Sequence, residues 1–177
     1  AIVVGAIEVR RRREGEDRAV EGRRGHAEEK RGKRAVYAGR LRLRHVPSRS
    51  AEDLTAFVKE NVAKGSVVRT DGWQGYDGLA KLGYDHKTVV LDGDPEKTEA
   101  HLPMIHLVFS NLKTWLLGTH HGVSQQHLQA YLNEYVFRFN RRFYPMTAFN
   151  SALGLVVRAV PPTYEELYSG KWVHPSA

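Results

Sequence analysis

Val67-Val-Arg-Thr-Asp71-Gly-Trp-Gln-Gly-Tyr76 is a short apolar run that ends on an acid and breaks at once into a glycine turn. Val67 and Val68 give it β-branched character, and Gly72 and Gly75 punctuate the residues after Asp71. The stretch therefore predicts a short buried strand with Asp71 projecting from its carboxyl end. In open α/β sheets the crevice outside such strand ends is where ligands bind. An Asp-Gly pair also suits an ordinary turn, in which the Asp side chain bonds its own backbone. Trp73 and Tyr76, one turn beyond the strand, are expected to pack over the sheet as supports.

Upstream of this stretch, Ile2 to Val9 reads as a buried strand by its Ile and Val content. Gly39 to Val46 alternates basic and apolar residues with period two. The two predict an antiparallel hairpin. Between them, Arg10 to Ala38 is rich in Arg, Glu, Gly and Lys and has almost no apolar periodicity, which predicts a flexible basic insertion. Ser50 is placed to cap a helix whose Leu54, Phe57, Val58 and Val62 share one face, with Gly65 beyond its end. Downstream, Tyr76 to Leu82 suits a short helix, His86 to Leu91 a strand and Asp92 to Glu96 a loop. In the next helix, His101 to Leu117, residues Ile105, Val108, Phe109, Leu112 and Leu116 form the apolar stripe, leaving His106, Ser110 and Lys113 on a neighbouring one. Gly118 to Gly122 reads as a turn. Leu128, Leu132, Tyr135 and Phe139 then give a helix face that ends in Arg138-Phe-Asn-Arg-Arg142, and a last helix runs from about 146 to 157. This order of elements is α/β.

The 177 residues suffice for one well-buried domain, residues 1–160, followed by a carboxyl-terminal tail, 161–177. With no cysteine, a disulfide framework and a cysteine-bearing zinc site are both excluded. The apolar start, Ala1 to Ile7, is too short to span a bilayer, and its charges follow it rather than precede it. No membrane partner is expected. The net charge of +7 is concentrated at the front, where residues 1–50 carry 15 Lys and Arg against 7 Asp and Glu. Such a basic stripe is the footprint of a polyanion partner, because neutralising phosphates releases their counterions.

The Thr70-Asp-Gly-Trp-Gln-Gly-Tyr76 turn is followed in order by Ser110-Asn-Leu-Lys113, His120-His-Gly-Val-Ser124 and Tyr131-Leu-Asn-Glu-Tyr-Val-Phe-Arg-Phe-Asn-Arg-Arg142. From about Gly39 to Tyr168 this series resembles the DDE-type insertion-sequence transposases of bacteria, in the ISXO-like branch. The resemblance implies an RNase H-like fold, a mixed central sheet flanked by helices. It also implies metal-dependent cleavage and transfer of DNA strands, with transposon ends and target DNA as partners, a homo-oligomer assembled on DNA, and a cytoplasmic, nucleoid-associated location. Mg²⁺ is the implied cofactor, with Mn²⁺ as the alternative, since hard cations take carboxylate oxygens and two ions stabilise attacking and leaving oxygens.

By that resemblance Asp71 is the second acid of the triad. The third position falls seven residues before Lys113, on His106. Residues i and i+7 share a helix face, so His106 is placed to meet a metal and Lys113 a phosphate. Imidazole suits softer ions than Mg²⁺, which points to Mn²⁺ or to a proton-accepting role. Asn111 is the alternative ligand, about 140° around the helix from His106. Lys113, Arg138, Arg141 and Arg142, with Arg42 and Arg44 of the basic stripe, are read as phosphate contacts. The first acid belongs to a strand preceding the one that opens this chain, and neither Glu8 nor Glu21 takes its role. The chain, which starts at Ala1 inside an apolar run, is thus expected to be the carboxyl-terminal portion of a catalytic domain that lacks its first strand and is inactive alone. His101, His120, His121 and His127 do not have the H-E-x-x-H spacing of a zinc helix.

The full chain is expected to bind duplex DNA with an affinity that falls steeply with salt, each neutralised phosphate adding about −0.9 to the slope of log K against log salt. Binding is expected to run mainly through Arg10 to Arg44, and replacing the Arg and Lys residues of that stretch by Gln should weaken it and flatten that slope in anisotropy titrations. An unchanged slope would show that the basic stripe does not touch DNA.

Overall fold

The computed structural model describes residues 1–11, 36–89, 101–158, 160–161 and 163–169. Two strands organise it. β1 (Ile2–Arg11) and β2 (Val36–Val46) pair antiparallel, Ile2 opposite Val46 and Ile7 opposite Leu41. Successive side chains of a strand point to opposite faces, so this register sorts the hairpin into two apolar faces. Val4 and Val46, with Ile2 and Ala6, face one core. Leu41 and Leu43, with Val3 and Ile7, face another. The strands reach further than their sequence suggests: Arg10 lies opposite Tyr37 and Arg11 opposite Val36. The expected insertion thus narrows to residues 12–35, which lie outside the described residues.

A bulge divides the hairpin, with Gly39 and Arg40 opposite the single Glu8. Glu8 pins it. Its carboxylate accepts the Arg40 amide at 3.0 Å and pairs with Arg10 Nε at 2.8 Å, and Arg10 holds the Glu8 carboxyl below the usual carboxylate range. A Cβ at Gly39 would sit 2.5 Å from the Glu8 carboxylate, so a larger residue there would displace the Glu8 side chain from the bulge.

α1 (Ala51–Asn61) covers the first face through Leu54, Phe57 and Val58. Ser50 caps it as expected, its side chain accepting the Asp53 amide at 3.2 Å. Beside α1 lie β3 (Val67–Thr70) and β4 (Asp85–Thr88), paired in parallel with Val67 opposite Asp85. Parallel strands need a crossover, here formed around a 3-10 helix, Gln74–Leu82, that delivers Leu79 to the first core. α2 (Pro103–His120) and α3 (Leu128–Asn140) cover the hairpin's second face through Val108, Leu112, Leu128 and Leu132. α4 (Pro145–Arg158) and α5 (Tyr164–Tyr168) follow, and Thr163 and Glu166 close a capping box on α5.

The architecture is mixed α/β, but three expectations require correction. β3 is not a buried strand: Val67 is 55% exposed, and of its four residues only Thr70 is buried. β-branched residues favour extended backbone whether or not they are covered, so the Val-Val run marked the strand and not its burial. The strands do not form one mixed sheet among the described residues; the antiparallel pair and the parallel pair are separate two-stranded sheets. Gly118 to His120 belong to α2 rather than to a turn, and the helix stops at His121, whose φ of 52° is left-handed, and Gly122. An exposed helical glycine costs only about 1 kcal/mol, too little to end a helix held by packing. The loop expected at Asp92–Glu96 lies outside the described residues.

Gly5 faces the second core, where a Cβ would come within 2.8 Å of Leu43 and 3.1 Å of the Phe109 ring. Gly5→Val should therefore destabilise the chain by about 1–3 kcal/mol, the usual cost of overpacking. Gly118→Ala, where a Cβ meets nothing within 4 Å, should stabilise it by up to about 1 kcal/mol. Urea unfolding of the two variants checks both signs.

Candidate functional site

Asp71 stands where the sequence put it, at the carboxyl end of β3 and exposed. The strand beneath it is anchored by Thr70, whose buried hydroxyl lies 2.9 Å from His86 Nε2 on β4, and whose carbonyl accepts the Val89 amide at 3.0 Å. The acid also makes the turn. Its Oδ1 accepts the Trp73 amide at 3.3 Å, and Gly72 between them takes a φ of 80°. The turn closes directly on α1, since a Cβ at Gly75 would lie 2.7 Å from Leu54. Tyr76 packs half-buried against the first core, as the sequence suggests, and burial, and secondarily the Asp71 charge, push its phenol up to about 12. Trp73 differs. It is 43% exposed, its indole N–H donates to the Arg49 carbonyl at 3.1 Å, and the Arg49 guanidinium lies 4.8 Å over its ring.

On α2 the expected apolar stripe faces the core, and His106, Ser110, Asn111 and Lys113 are all exposed. Asp71 and these α2 residues are carried by elements packed on opposite faces of the hairpin. Among the described residues no three His, Asp or Glu side chains gather to hold a metal ion. His120 is a packing residue. Its ring stacks edge-on between Trp115, at 4.8 Å, and Tyr131, at 4.6 Å, with Nε2 buried and unbonded.

Lys113 lies on α2, and the remaining predicted phosphate contacts divide into two groups. Arg42 and Arg44 point toward the α1 side of the hairpin, where Arg44 pairs with Glu60. The others lie at the end of α3. Arg138 is exposed and pairs with Glu134 at 2.8 Å, and Arg141 stacks 3.9 Å over the Phe137 ring. Arg142 is tethered instead. It donates to the carbonyls of Phe139 and Ala38, stacks on Phe139 and Phe143, and burial lowers its pKa.

One role escaped the sequence. Asn140 grips β2 in two directions, its Oδ1 accepting the Leu41 amide at 2.7 Å and its Nδ2 donating to the Leu41 carbonyl at 3.1 Å. Gln129 accepts the His45 amide at 2.8 Å and donates to the Leu43 carbonyl at 3.5 Å. The two amides replace a neighbouring strand along the outer edge of β2. Their spacing of eleven residues, three helical turns, was the available signal, because it sets both on one face of α3.

The family model described as ISXO2-like transposase domain matches residues 6–140. That span includes the hairpin from Ala6 onward, the Asp71 turn, α2 and α3. The chain belongs to this family of transposase domains, a class whose members act on DNA in transposition. No curated protein and no solved structure matches it. No helix among the described residues is long and apolar enough to cross a membrane.

Two measurements check this geometry. Asn140→Ala leaves the Leu41 N–H and C=O without partners and should cost about 1–3 kcal/mol in urea unfolding, the price of orphaned buried groups. Tyr76 titrates at about 12 when folded against about 10 when unfolded, so its neutral form favours the fold. That contribution is complete below pH 10 and is lost as pH rises through 12. Thermal melts should show the wild type losing more stability than Tyr76→Phe over this window.

Proposed function

We propose that the chain supplies the DNA-holding surface and one acid of a DDE-type transposase centre, which cleaves and joins DNA strands by phosphoryl transfer. The observation that carries this reading is Asp71, an exposed carboxylate at the carboxyl end of β3, inside the span matched by the transposase family. Asp71 serves as an acid of the centre. His106, with Asn111 as its alternative, serves as the third group, and Lys113 meets a phosphate from the same helix. Arg138 and Arg141 are the phosphate contacts favoured on α3, because both are less committed than Arg142. The DNA partners are transposon ends and target, held by more than one copy of the chain.

A divalent ion such as Mg²⁺ or Mn²⁺ takes about six ligands, mostly oxygen. No three His, Asp or Glu side chains gather among the described residues, so those residues by themselves do not make a complete centre. A further strand between β1 and β3 would complete it. Support for that strand comes from the edges: α3 covers the outer edge of β2, whereas among the described residues β1 pairs only with β2 and β3 only with β4. A strand filling this place would join the two sheets into the RNase H-like arrangement and bring its own acid beside Asp71. The concentration of Lys and Arg in residues 1–50 supports a second reading, a DNA-binding domain without cleavage.

The chain alone should bind DNA but neither nick nor join it in Mg²⁺ or Mn²⁺. Fused in frame to the acid-bearing strand of its parent element, it should do both, and Asp71→Asn should abolish both while DNA binding persists. His106→Ala should impair the fused protein, and His106→Glu should keep its Mg²⁺ activity. Full activity of His106→Ala with a dead Asn111→Ala would move the third group to Asn111. A fused protein that binds DNA without cutting it would favour the second reading.

A further inference from the structure

α4 lies beyond the matched span, and its amphipathicity is inverted. Its less exposed residues are small ones, Ala148, Ser151 and Ala152, while Met146, Phe149, Val156 and Val157 are 67–85% exposed and Leu153 is 49% exposed. None of its fourteen residues is buried. Met146, Phe149, Leu153 and Val156 alternate in steps of three and four, the spacing of a seam that packs against another helix. Tyr144 and Val160, just beyond the two ends of α4, are exposed as well.

We propose that α4 is the contact between two copies of this chain, the helices pairing antiparallel about a twofold axis near Asn150 and Ser151. Area supports a partner of this kind. At roughly 150–250 Å² for each of the two aromatic side chains and less for each of the five aliphatic ones, these seven residues, 49–89% exposed, offer on the order of 700 Å² per copy. That approaches the roughly 800 Å² that each partner buries in a standard interface and exceeds the roughly 300–600 Å² of the largest patch on a typical monomer. Charge selects a like partner and its direction. The helix has a single charged residue, Arg158, so its seam offers nothing for an acidic or basic surface to pair with. It does present an apolar strip that a second copy complements with the same residues, as a twofold contact requires. Antiparallel pairing sets the two Arg158 side chains about 20 Å apart at 1.5 Å rise per residue, whereas parallel pairing sets them side by side. The contact requires no DNA and goes beyond the proposed chemistry, since it names the surface through which copies meet.

The full chain should sediment as a dimer at micromolar concentration. Phe149→Glu and Val156→Glu, both at exposed positions, should convert it to a monomer with unchanged circular dichroism and DNA binding. Because the chain has no cysteine of its own, Phe149→Cys and Leu153→Cys give unique thiols, and on mild oxidation a mixture of the two variants should cross-link chiefly 149 to 153. A monomeric wild type overturns the proposal, leaving a different partner as the occupant of α4. So does a dimer that survives both glutamates. Cross-linking confined to 149 with 149 and 153 with 153 overturns the antiparallel arrangement. Loss of DNA binding in a folded monomer would instead show that binding depends on dimerisation, contrary to the independence claimed here.

Discussion

The structure depends on a two-stranded ribbon with both faces covered. A lone hairpin is marginal in water, because it buries too little apolar surface to offset the entropy of ordering its chain. β1 and β2 escape that limit by sending Val4 and Val46 into one core and Leu41 and Leu43 into another. A slip of one residue would exchange the two faces. The Glu8 bulge, Gly39 and Gly5 fit this demand: the bulge adjusts the pairing beyond Ile7, and the missing side chain of Gly5 admits Ile105 and Phe109 of α2.

The ribbon also has edges, and an open edge invites pairing with any other strand. Along β2 the answer is a helix rather than a strand. Asn140 and Gln129 meet the outward-facing backbone groups of Leu41, Leu43 and His45, and Arg142 reaches the Ala38 carbonyl at the far end. The basic end of α3 therefore does two physical jobs. Arg142 and Asn140 hold the helix to the sheet, whereas Arg138 is exposed and the half-buried Arg141 stacks on Phe137. This division explains why a run that reads as uniformly basic is not uniformly available to a phosphate.

The Asp71 turn is built on α1 as much as on β3. Gly75 lies against Leu54, Trp73 bonds the segment that leads into the helix, and Tyr76 packs half-buried against the first core. The carboxylate is thus fixed by contacts that leave its outer side open. On the proposed reading, this rigid support prepares a single acid for neighbours that the described residues do not gather. The elements that carry Asp71 and the α2 stripe pack on opposite faces of the hairpin, and on the proposed reading a strand joining the two sheets completes the centre.

The sequence by itself determined the period-two strands, the Ser50 cap, the apolar stripes of α2 and α3, and the position of Asp71 at a strand end. These are local signals, written in residues within a turn or two of one another. It also carried the family, because four motifs in one order identify it more firmly than any single motif. Only the tertiary structure decided that Val67 is exposed, that α2 runs through Gly118, that Arg142 is a tether and that Asn140 closes a sheet edge. Each of these depends on what approaches from far along the chain: Asn140 and Leu41 are separated by 99 positions and Arg142 and Ala38 by 104. Propensity and periodicity report what a segment prefers, while burial and hydrogen-bond partners are set by the distant elements packed against it.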